Sequence, residues 1–264
     1  MTAIALTIAG SDSGGGAGVQ ADLKTFSALG VYGASVLTAI TAQNTKGVTA
    51  IENLSPTIIE AQIDAVLADI EVDAIKIGMV STIGAIDSIA GALQRWDRSI
   101  VLDPVMVATS GDRLLDPNAI DALKRQLFPK AMVVTPNLAE AALLTGMPVA
   151  ENADQMLQQA ELLLELGPSA VLIKGGHAKG AMSNDLLVDR GWPSWFSASR
   201  IATDNDHGTG CTLASAITAE LAKGKTLQGA VAGAKDYLTA AMVAGASLKV
   251  GQGRGPVHHF HQWW

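Results

Sequence analysis

The chain has 264 residues, of which 25 are acidic and 18 basic, giving a formal net charge of −7. Hydrophobic residues make up 48% of the sequence, which excludes a disordered chain because enough apolar surface is available to offset the entropy of ordering. The acidic balance excludes general nucleic-acid binding, which requires clustered lysine and arginine side chains.

The first half of the chain alternates short apolar runs with helical patterns. Residues 4–8 are strand-like and lead into a glycine-rich stretch at 10–18, which precedes a helix closed by Gly30. Further elements are strands at 32–42, 48–53, 74–77 and 100–102, with helices that start at Ser55-Pro56 and that span 83–93.

The second half continues this alternation. Its predicted elements are helices at 117–127 and within 137–166, strands at 132–135 and 170–173, a hairpin-like stretch over 185–201, and helices at 210–221 and 226–243. Strands separated by helices of this length indicate βαβ crossovers, and so an α/β fold with a mostly parallel sheet covered by helices on both faces. No linker, charge run or repeat divides the chain, so we predict one domain over residues 1–264.

The single cysteine and the hydropathy pattern indicate the compartment. Cys211 cannot form an intramolecular disulfide, which fits a reducing cytoplasm. No basic residue precedes Lys24, so the apolar opening lacks the charged region of a signal peptide. No apolar run reaches the ~18 residues of a transmembrane helix. We expect a cytoplasmic protein without a membrane segment.

Polar residues and glycines follow each predicted strand. In a parallel sheet, ligands bind outside the carboxyl ends of the strands. The segments found there are 10–18, Gln43-Asn44, Gly78-Met79, Asp103-Pro104, Pro136-Asn137 with Glu140, and Lys174-Gly175-Gly176. Any one of them is an ordinary turn, but six together favour a ligand site at this rim.

The glycine-rich stretch does not predict dinucleotide binding. It fits only the relaxed fingerprint, and no acidic residue follows at the spacing that would hold a ribose. The sequence also lacks the lysine-containing motif of a P-loop.

The sharpest local signal is His207-Gly208-Thr209-Gly210-Cys211-Thr212, directly before a predicted helix. Backbone N–H groups at a helix start form an anion hole, and the helix dipole adds positive potential. The same field predicts a lowered pKa for the Cys211 thiol, although a small buried cysteine without function is the plain alternative. The histidines near residue 260 lack metal-site spacing and are interpreted as a solvated tail.

The ordered set of motifs resembles a known family along nearly the whole chain. The motifs are residues 9–25 (AGSDSGGGAGVQADLKT), 38–45 (TAITAQNT), 76–79 (KIGM), 102–106 (LDPVM), 135–140 (TPNLAE), 173–177 (IKGGH), 207–212 (HGTGCT) and 253–257 (GRGPV). Together they are similar to the hydroxymethylpyrimidine/phosphomethylpyrimidine kinases of thiamine biosynthesis, in the ribokinase-like superfamily.

The resemblance implies a three-layer α/β/α ribokinase-like fold, a homodimer, and ATP and Mg²⁺ as cofactors. It implies phosphorylation of 4-amino-5-hydroxymethyl-2-methylpyrimidine to its monophosphate, and of the monophosphate to the diphosphate. The amide of Gln43 would pair with the aminopyrimidine edge. Small and apolar residues would line the ring pocket: Gly10, Ala17, Met79 and Val105.

The resemblance also implies the residues of the phosphate site. Lys174 would lie near the nucleotide phosphates, Asn137 and Glu140 would organise Mg²⁺ and its waters, and Asp103 would support them. The anion hole would consist of Gly208, Thr209, Gly210 and Cys211, with the thiol as a candidate base. Asp206 stands where relatives usually carry threonine, and an extra acid there is expected to disturb phosphate or Mg²⁺ binding.

Three other functions stay open at this point. A pyridoxal or pyridoxine kinase is the near alternative, because related kinases with this cysteine accept another hydroxymethylated ring. A cysteine hydrolase using Cys211 and His207 is a distant one, since no third group that would orient the histidine is evident. A non-catalytic binder of a pyrimidine or nucleotide is the third.

Overall fold

The computed structural model describes residues 2–106, 116–176, 180–189 and 191–264. In these ranges the strands are β1 (Ile4–Ala9), β2 (Tyr32–Leu37), β3 (Ala39–Asn44), β4 (Gly47–Asn53), β5 (Ala74–Ile77), β6 (Ser99–Leu102), β7 (Val133–Val134), β8 (Val171–Ile173), β9 (Met182–Val188) and β10 (Ser194–Ser199). The α-helices are α1 (Gly18–Ala28), α2 (Pro56–Leu67), α3 (Ile83–Ala92), α4 (Ile120–Gln126), α5 (Leu138–Thr145), α6 (Ala153–Leu164), α7 (Thr209–Ala222) and α8 (Leu227–Gly245). None of these helices is long and apolar enough to cross a bilayer.

Eight of the strands form one sheet in the order β10-β9-β8-β7-β6-β5-β1-β2. The pairs from β8 to β2 are parallel, whereas β8–β9 and β9–β10 are antiparallel. The sheet is therefore mostly parallel, as predicted, and the carboxyl ends of β1, β5, β6, β7 and β8 meet at one rim.

Alternate side chains of the strands pack on opposite faces of the sheet. Ile75 and Leu102 belong to the larger core, which they share with residues of α2 to α6. Their strand neighbours Ala74 and Val101 belong to a second core, which contains residues of α7 and α8. The chain thus forms three α/β/α layers, as expected.

Local sequence signals set the helix ends. Ser55 Oγ accepts a hydrogen bond from the Ile58 N–H, and Pro56 occupies the first turn of α2, as predicted. Gly30 follows α1 with φ +74°, a left-handed conformation that favours glycine.

The strand predicted over 32–42 is in fact two strands in different sheets. The chain leaves the large sheet at Thr38, whose side chain donates to the Met79 carbonyl at 2.7 Å. From Ala39 it continues as β3, which pairs with β4 to form a separate antiparallel hairpin. The prediction was wrong because the apolar pattern continues unbroken through the point where the chain changes sheets.

The histidines near the C-terminus do not form a solvated tail. His258 and His259 are both buried. The His258 ring packs on Trp264 at a centroid distance of 4.4 Å, and the Tyr237 hydroxyl donates to the His259 carbonyl at 2.7 Å. The segment folds back because Phe260 packs against the core residues of α7 and α8, a tertiary contact that local polarity does not predict.

Candidate active site

The glycine-rich loop after β1 folds around the carboxylate of Asp12. Asp12 Oδ1 accepts from the Gly14 N–H (2.8 Å), and Oδ2 accepts from the N–H groups of Gly16 (3.0 Å) and Ala17 (2.8 Å). Burial alone would raise the pKa of Asp12, but the hydrogen bond with His207 and the backbone N–H groups hold it below its usual value. The ionised carboxylate therefore fixes the loop that leads into α1.

The start of α7 lies against this loop. His207 Nε2 is 2.8 Å from Asp12 Oδ2, and Gly208 bounds the helix with φ +80°. A Cβ atom on Gly208 would lie 1.9 Å from the Gly16 carbonyl oxygen, so only glycine fits here. The first N–H groups of a helix lack intrahelical acceptors, so the turn that begins at Thr209 presents donors and the positive end of the helix dipole. The anion hole predicted from the sequence would lie at this turn.

One cation and two carboxylates lie beside the start of α7. Lys174 Nζ is 2.6 Å from Asp103 Oδ1 and 4.0 Å from Glu140 Oε2. Thr135 Oγ1 donates to the same Asp103 oxygen at 3.0 Å. A Cβ atom on Gly210 would stand 3.4 Å from Lys174 Nζ and 3.7 Å from Asp103 Oδ2. The structure thus brings these predicted site residues together.

Burial and charge set the protonation of this cluster. Burial raises the pKa of Glu140 to about 7 against the attraction of Lys174, and the Asp103 charge adds to the rise. Burial alone would lower the pKa of Lys174, but the charges of Asp103 and Glu140 raise it above its usual value. Lys174 is therefore charged at neutral pH, whereas Glu140 gains and loses its proton there.

Asn137 and Glu140 form a capping box at the start of α5. The Glu140 N–H donates to Asn137 Oδ1 at 2.9 Å, and the Asn137 N–H donates to Glu140 Oε2 at 2.7 Å. Asn137 also forms an isolated parallel bridge with Lys174. The Asn137 side chain therefore holds the helix and positions Glu140. His177, which belongs to the neighbouring motif, lies outside the described residues.

The prediction of a lowered thiol pKa at Cys211 is wrong. Burial raises the pKa of Cys211 to about 11 despite the opposing effects of Lys76 and the Gly18 N–H, and Asp22 and Asp103 raise it as well. The sequence reveals the helix start, but it does not reveal how the sulfur is enclosed. Cys211 is a neutral thiol at neutral pH.

Gln43 is held by the loop opposite it. Its side-chain Oε1 accepts from Thr41 Oγ1 at 3.1 Å. Ser13 Oγ accepts from the Gln43 N–H at 2.8 Å and donates to the Gln43 carbonyl at 2.7 Å. A register irregularity between Ala42 and Gln43 interrupts the hairpin here. These contacts join β3 to the glycine-rich loop and orient the amide.

The other predicted pocket residues lie at the same rim. Gly10 directly faces Met79, since a Cβ atom on Gly10 would be 3.0 Å from Met79 Sδ. Ala17 and Val105 are half-buried, in the loops that follow β1 and β6. The flat surface left by glycine beside a polarizable sulfur suits an aromatic ring.

A buried ion pair that contacts α7 was not predicted from the sequence. Lys76 Nζ lies 2.8 Å from Asp22 Oδ2, and both side chains are 0% exposed. The hydroxyls of Thr7 and Ser215 also donate to Asp22, each at 2.6 Å. A lysine between isoleucines on a buried strand was the available signal, because such a charge requires a partner.

The charge of Asp206 is neutralised, contrary to expectation. Arg254 Nε donates to Asp206 Oδ1 at 2.7 Å, and a second guanidinium nitrogen pairs with Oδ2. Arg254 is 48 residues away in sequence, so the pairing was not visible there. The extra acid therefore adds little negative charge beside the anion hole.

The geometry disfavours a cysteine hydrolase. Such an enzyme needs an imidazole directed at the sulfur. Contrary to the expectation from the sequence, a third group does orient the histidine, since His207 Nε2 lies 2.8 Å from Asp12 Oδ2. The pKa of Cys211 is raised rather than lowered, however, so the sulfur is not an activated nucleophile.

Comparison with known proteins gives consistent matches. A family model described as phosphomethylpyrimidine kinase matches residues 12–258. A hydroxymethylpyrimidine/phosphomethylpyrimidine kinase of Rhizobium meliloti (strain 1021) is 62% identical over 264 residues, covering 100% of this chain and 99% of that protein.

Two solved structures share the fold. The Bacillus subtilis pyridoxal kinase in complex with ADP has a TM-score of 0.91 and 38% identity, over 99% of each chain. A phosphomethylpyrimidine kinase from Clostridium difficile 630 has a TM-score of 0.79 and 48% identity, over 89% of this chain and 97% of that one. These similarities confirm the expected ribokinase-like fold.

Proposed function

The chain belongs to the phosphomethylpyrimidine kinase family, and we propose that it phosphorylates 4-amino-5-hydroxymethyl-2-methylpyrimidine and then the monophosphate so formed. ATP is the phosphoryl donor, in keeping with the ADP bound to the related B. subtilis kinase. The observation that carries the proposal is the glycine-bounded start of α7 with Lys174 beside it, at the rim that also holds Gln43.

Phosphoryl transfer depends mainly on positioning and on stabilising negative charge. In the proposed reaction the substrate hydroxyl oxygen forms a bond to the γ-phosphorus while the bond from phosphorus to the ADP oxygen breaks. ADP leaves with that electron pair. The N–H groups at the start of α7 receive the charge of the transferred oxygens, and Lys174 neutralises charge on the nucleotide phosphates.

The two acceptors differ in their need for a base. An alcohol gains from a group that takes its proton, and we propose Cys211 as that group. The second acceptor is a phosphate with a second pKa near ~6, so it is largely deprotonated at neutral pH. Because burial raises the pKa of Cys211 to about 11, the rate of the alcohol step should rise with pH above 7, while the phosphate step stays flat.

Replacing Cys211 by alanine should therefore slow the first step more than the second, by ~10²–10⁴ if a general base is lost. The measurement is kcat/KM for each acceptor supplied separately, across pH 6 to 9. Equal losses in both steps, with unchanged pH profiles, would leave Cys211 only a geometric part of the anion hole.

The carboxylates fit a magnesium ion that arrives with ATP. Mg²⁺ keeps several waters and takes one or two carboxylates together with substrate phosphates. Glu140 and Asp103 supply two, and among the described residues no cluster of three or more ligands would hold an ion alone. We therefore propose that Glu140, positioned by Asn137, and Asp103 hold Mg²⁺, which neutralises phosphate charge when bound.

A pyridoxal kinase is the second candidate, favoured by the high structural similarity to the B. subtilis enzyme. The discriminating experiment compares ADP release with the aminopyrimidine alcohol and with pyridoxal, each titrated against the protein and Mg-ATP. We expect a higher kcat/KM for the aminopyrimidine, because an amide at Gln43 matches its donor–acceptor edge. A higher value for pyridoxal would overturn the assignment of the substrate.

We further propose that residues 1–264 act as one domain, in the cytoplasm, as a homodimer, with small molecules rather than nucleic acids or membranes as partners. The single cysteine supports the compartment. The homodimer is what the family resemblance implies. Light scattering of the purified protein tests it, and a monomeric mass at micromolar concentration would contradict it.

A further inference from the structure

Lys76 is a fully buried cation that the proposed reaction does not use. Its side chain is 0% exposed and makes an ion pair of 2.8 Å with Asp22, which is equally buried. Asp22 also accepts from Thr7 Oγ1 and Ser215 Oγ, each at 2.6 Å. The pair thus joins β1, α1, β5 and α7, the elements around the start of α7.

In the part of the chain that the structure describes, Lys76 has fewer hydrogen-bond partners than Asp22 has. An ammonium has three N–H donors, and within the described residues Asp22 is the hydrogen-bond acceptor of Nζ. Buried N–H groups of an ammonium that have no acceptor cost free energy, unless the charge also stabilises another group. Burial alone would lower the pKa of Lys76, but the Asp22 charge raises it above its usual value, so it remains an ammonium.

The ammonium lies at the carboxyl end of β5, where the site is. A Cβ atom on Gly78 would come 2.5 Å from Lys76 Nζ, so a side chain at residue 78 would displace it. Met79 of the predicted ring pocket follows immediately. Lys76 therefore lies between the core and the rim formed by the carboxyl ends of the strands, where we place the substrate.

Cys211 is the ionisable group next to this charge, because Ser215, which donates to Asp22 at 2.6 Å, lies one helical turn after Cys211 on α7. Burial raises the pKa of the thiol, whereas Lys76 acts in the opposite direction. The other charges that face the sulfur are Asp22 on α1 and Asp103 after β6, which raise its pKa, and Lys174 interacts with it as well. The Gly18 N–H also favours the thiolate.

We propose that Lys76 is a positioning residue for phosphoryl transfer to the alcohol, and that its buried ammonium acts through Cys211 by favouring the thiolate. The thiolate accepts the hydroxyl proton as oxygen bonds to the γ-phosphorus and ADP departs, and the thiol returns that proton to solvent after product release. The inference rests on the proposed function in taking Cys211 as the base.

The first test needs no kinase activity. Cys211 is the only cysteine of the chain, so the rate of alkylation by iodoacetamide across pH reports its thiolate alone. Lys76→Met should slow alkylation at pH 8 by about tenfold or more, which corresponds to about one pKa unit. Asp22→Asn, which removes the opposing charge, should speed it. Slowing in both variants, or no change in Lys76→Met, would overturn the proposal.

A matched control exists in the chain. Lys235 is buried and paired with Asp185 at 2.6 Å, so Lys235→Met removes a comparable buried ion pair that lies on α8 and β9 rather than on β5 and α1. Its alkylation profile should match that of the wild type. A decrease in the alkylation rate as large as that of Lys76→Met would show a general loosening of the fold. That result would contradict a specific effect of Lys76.

The second test asks whether Lys76 acts through Cys211. Lys76→Met should lower kcat for the alcohol more than for the monophosphate, with little change in the KM for ATP. In a Cys211→Ala background, adding Lys76→Met should lower the alcohol rate no further. Additive losses would overturn the proposal. Absence of phosphorylation by the wild type would instead count against the proposed function, and the alkylation result would still be decisive for Lys76.

Discussion

Gln43 offers an amide whose neighbours are already in place. Thr41 and Ser13 hold its side chain and backbone, so little ordering is needed when a ring binds. Gln43→Leu keeps the size of the side chain but leaves the polar edge of the pyrimidine unpaired, at a cost of ~1–3 kcal/mol.

The expected result is a KM for the pyrimidine alcohol raised roughly tenfold, with the KM for ATP unchanged. Gln228→Leu, at an exposed position on α8, provides the matched control. Steady-state kinetics with each substrate varied in turn make the comparison. An unchanged KM for the alcohol in Gln43→Leu would mean that another residue recognises the ring.

At the scale of residues, the sequence predicts which side chains gather but not their protonation. Lys174, Asp103 and Glu140 follow separate strands, and a parallel sheet brings such positions together. The pKa of Cys211 was predicted in the wrong direction because enclosure of the sulfur arises only from packing. Lys76 was missed for the same reason: its partner Asp22 lies 54 residues away on another element.

At the scale of elements, residues 251–256 form a strap between the hairpin and α7. The N–H of Gly253 donates to Thr45 Oγ1 at 3.1 Å, and that of Arg254 donates to the Thr45 carbonyl at 2.9 Å. The Arg254 guanidinium then pairs with Asp206, beside the anion hole. The strap therefore ties the turn that follows Gln43 to the start of α7.

Arg254→Ala should loosen the hairpin and raise the KM for the pyrimidine alcohol roughly two- to fivefold, because exposed ion pairs contribute up to ~1 kcal/mol. The reversed pair Asp206→Arg with Arg254→Asp should restore it. Arg98→Ala is the control, since Arg98 also pairs with an aspartate, Asp73, and its side chain is equally exposed, at 48%. No rise in KM, or no recovery in the reversed pair, would contradict the role of the strap.

The elements themselves were largely predictable. The spacing of apolar residues and the helix-capping residues predicted where the helices lie, as at Ser55-Pro56. The hairpin β3–β4 could not be separated from β2, because the break at Thr38 is made by hydrogen bonds to Ala9 and Met79 from elsewhere in the chain.

At the scale of the whole molecule, the C-terminal segment stabilises the fold in a pH-dependent way. Burial lowers the pKa of His259 from 6.5 to about 3, with Lys24 adding to the effect. Thr212 Oγ1 lies 3.1 Å from its Nε2. A neutral buried histidine contributes stability that is complete above pH 6.5 and is lost as pH falls towards 3, because the unfolded chain binds the proton first.

The free energy of unfolding, measured by urea denaturation, should therefore fall between pH 7 and pH 5 by about 2 kcal/mol from His259 alone. In His259→Gln, the free energy of unfolding should fall less between pH 7 and pH 5, by this amount. His261→Gln, at a less buried neighbour, should show the same decrease as the wild type. An equal decrease in the wild type and both variants would show that His259 is not responsible for the acid sensitivity.

The three-layer fold followed from the alternation of strands and helices along the chain. The C-terminal segment did not, because polar histidines suggest solvent, whereas aromatic packing by Tyr237 and Trp264 buries them.

The central claim is that one site at the start of α7 performs both phosphorylations. Gly208→Ala would place a Cβ atom 1.9 Å from the Gly16 carbonyl and disrupt the anion hole. Gly224→Ala shares the positive φ, +81° against +80°, but lies past the other end of α7 with nothing within 4 Å. It therefore controls for backbone strain alone, and circular dichroism checks that both variants are folded.

The decisive measurement is the mass of the products formed from Mg-ATP with the pyrimidine alcohol, and separately with its monophosphate. The wild type and Gly224→Ala should make the monophosphate and the diphosphate, whereas folded Gly208→Ala should lose both reactions by about 10² or more. A Gly208→Ala protein that retains either reaction at the wild-type rate would contradict the account.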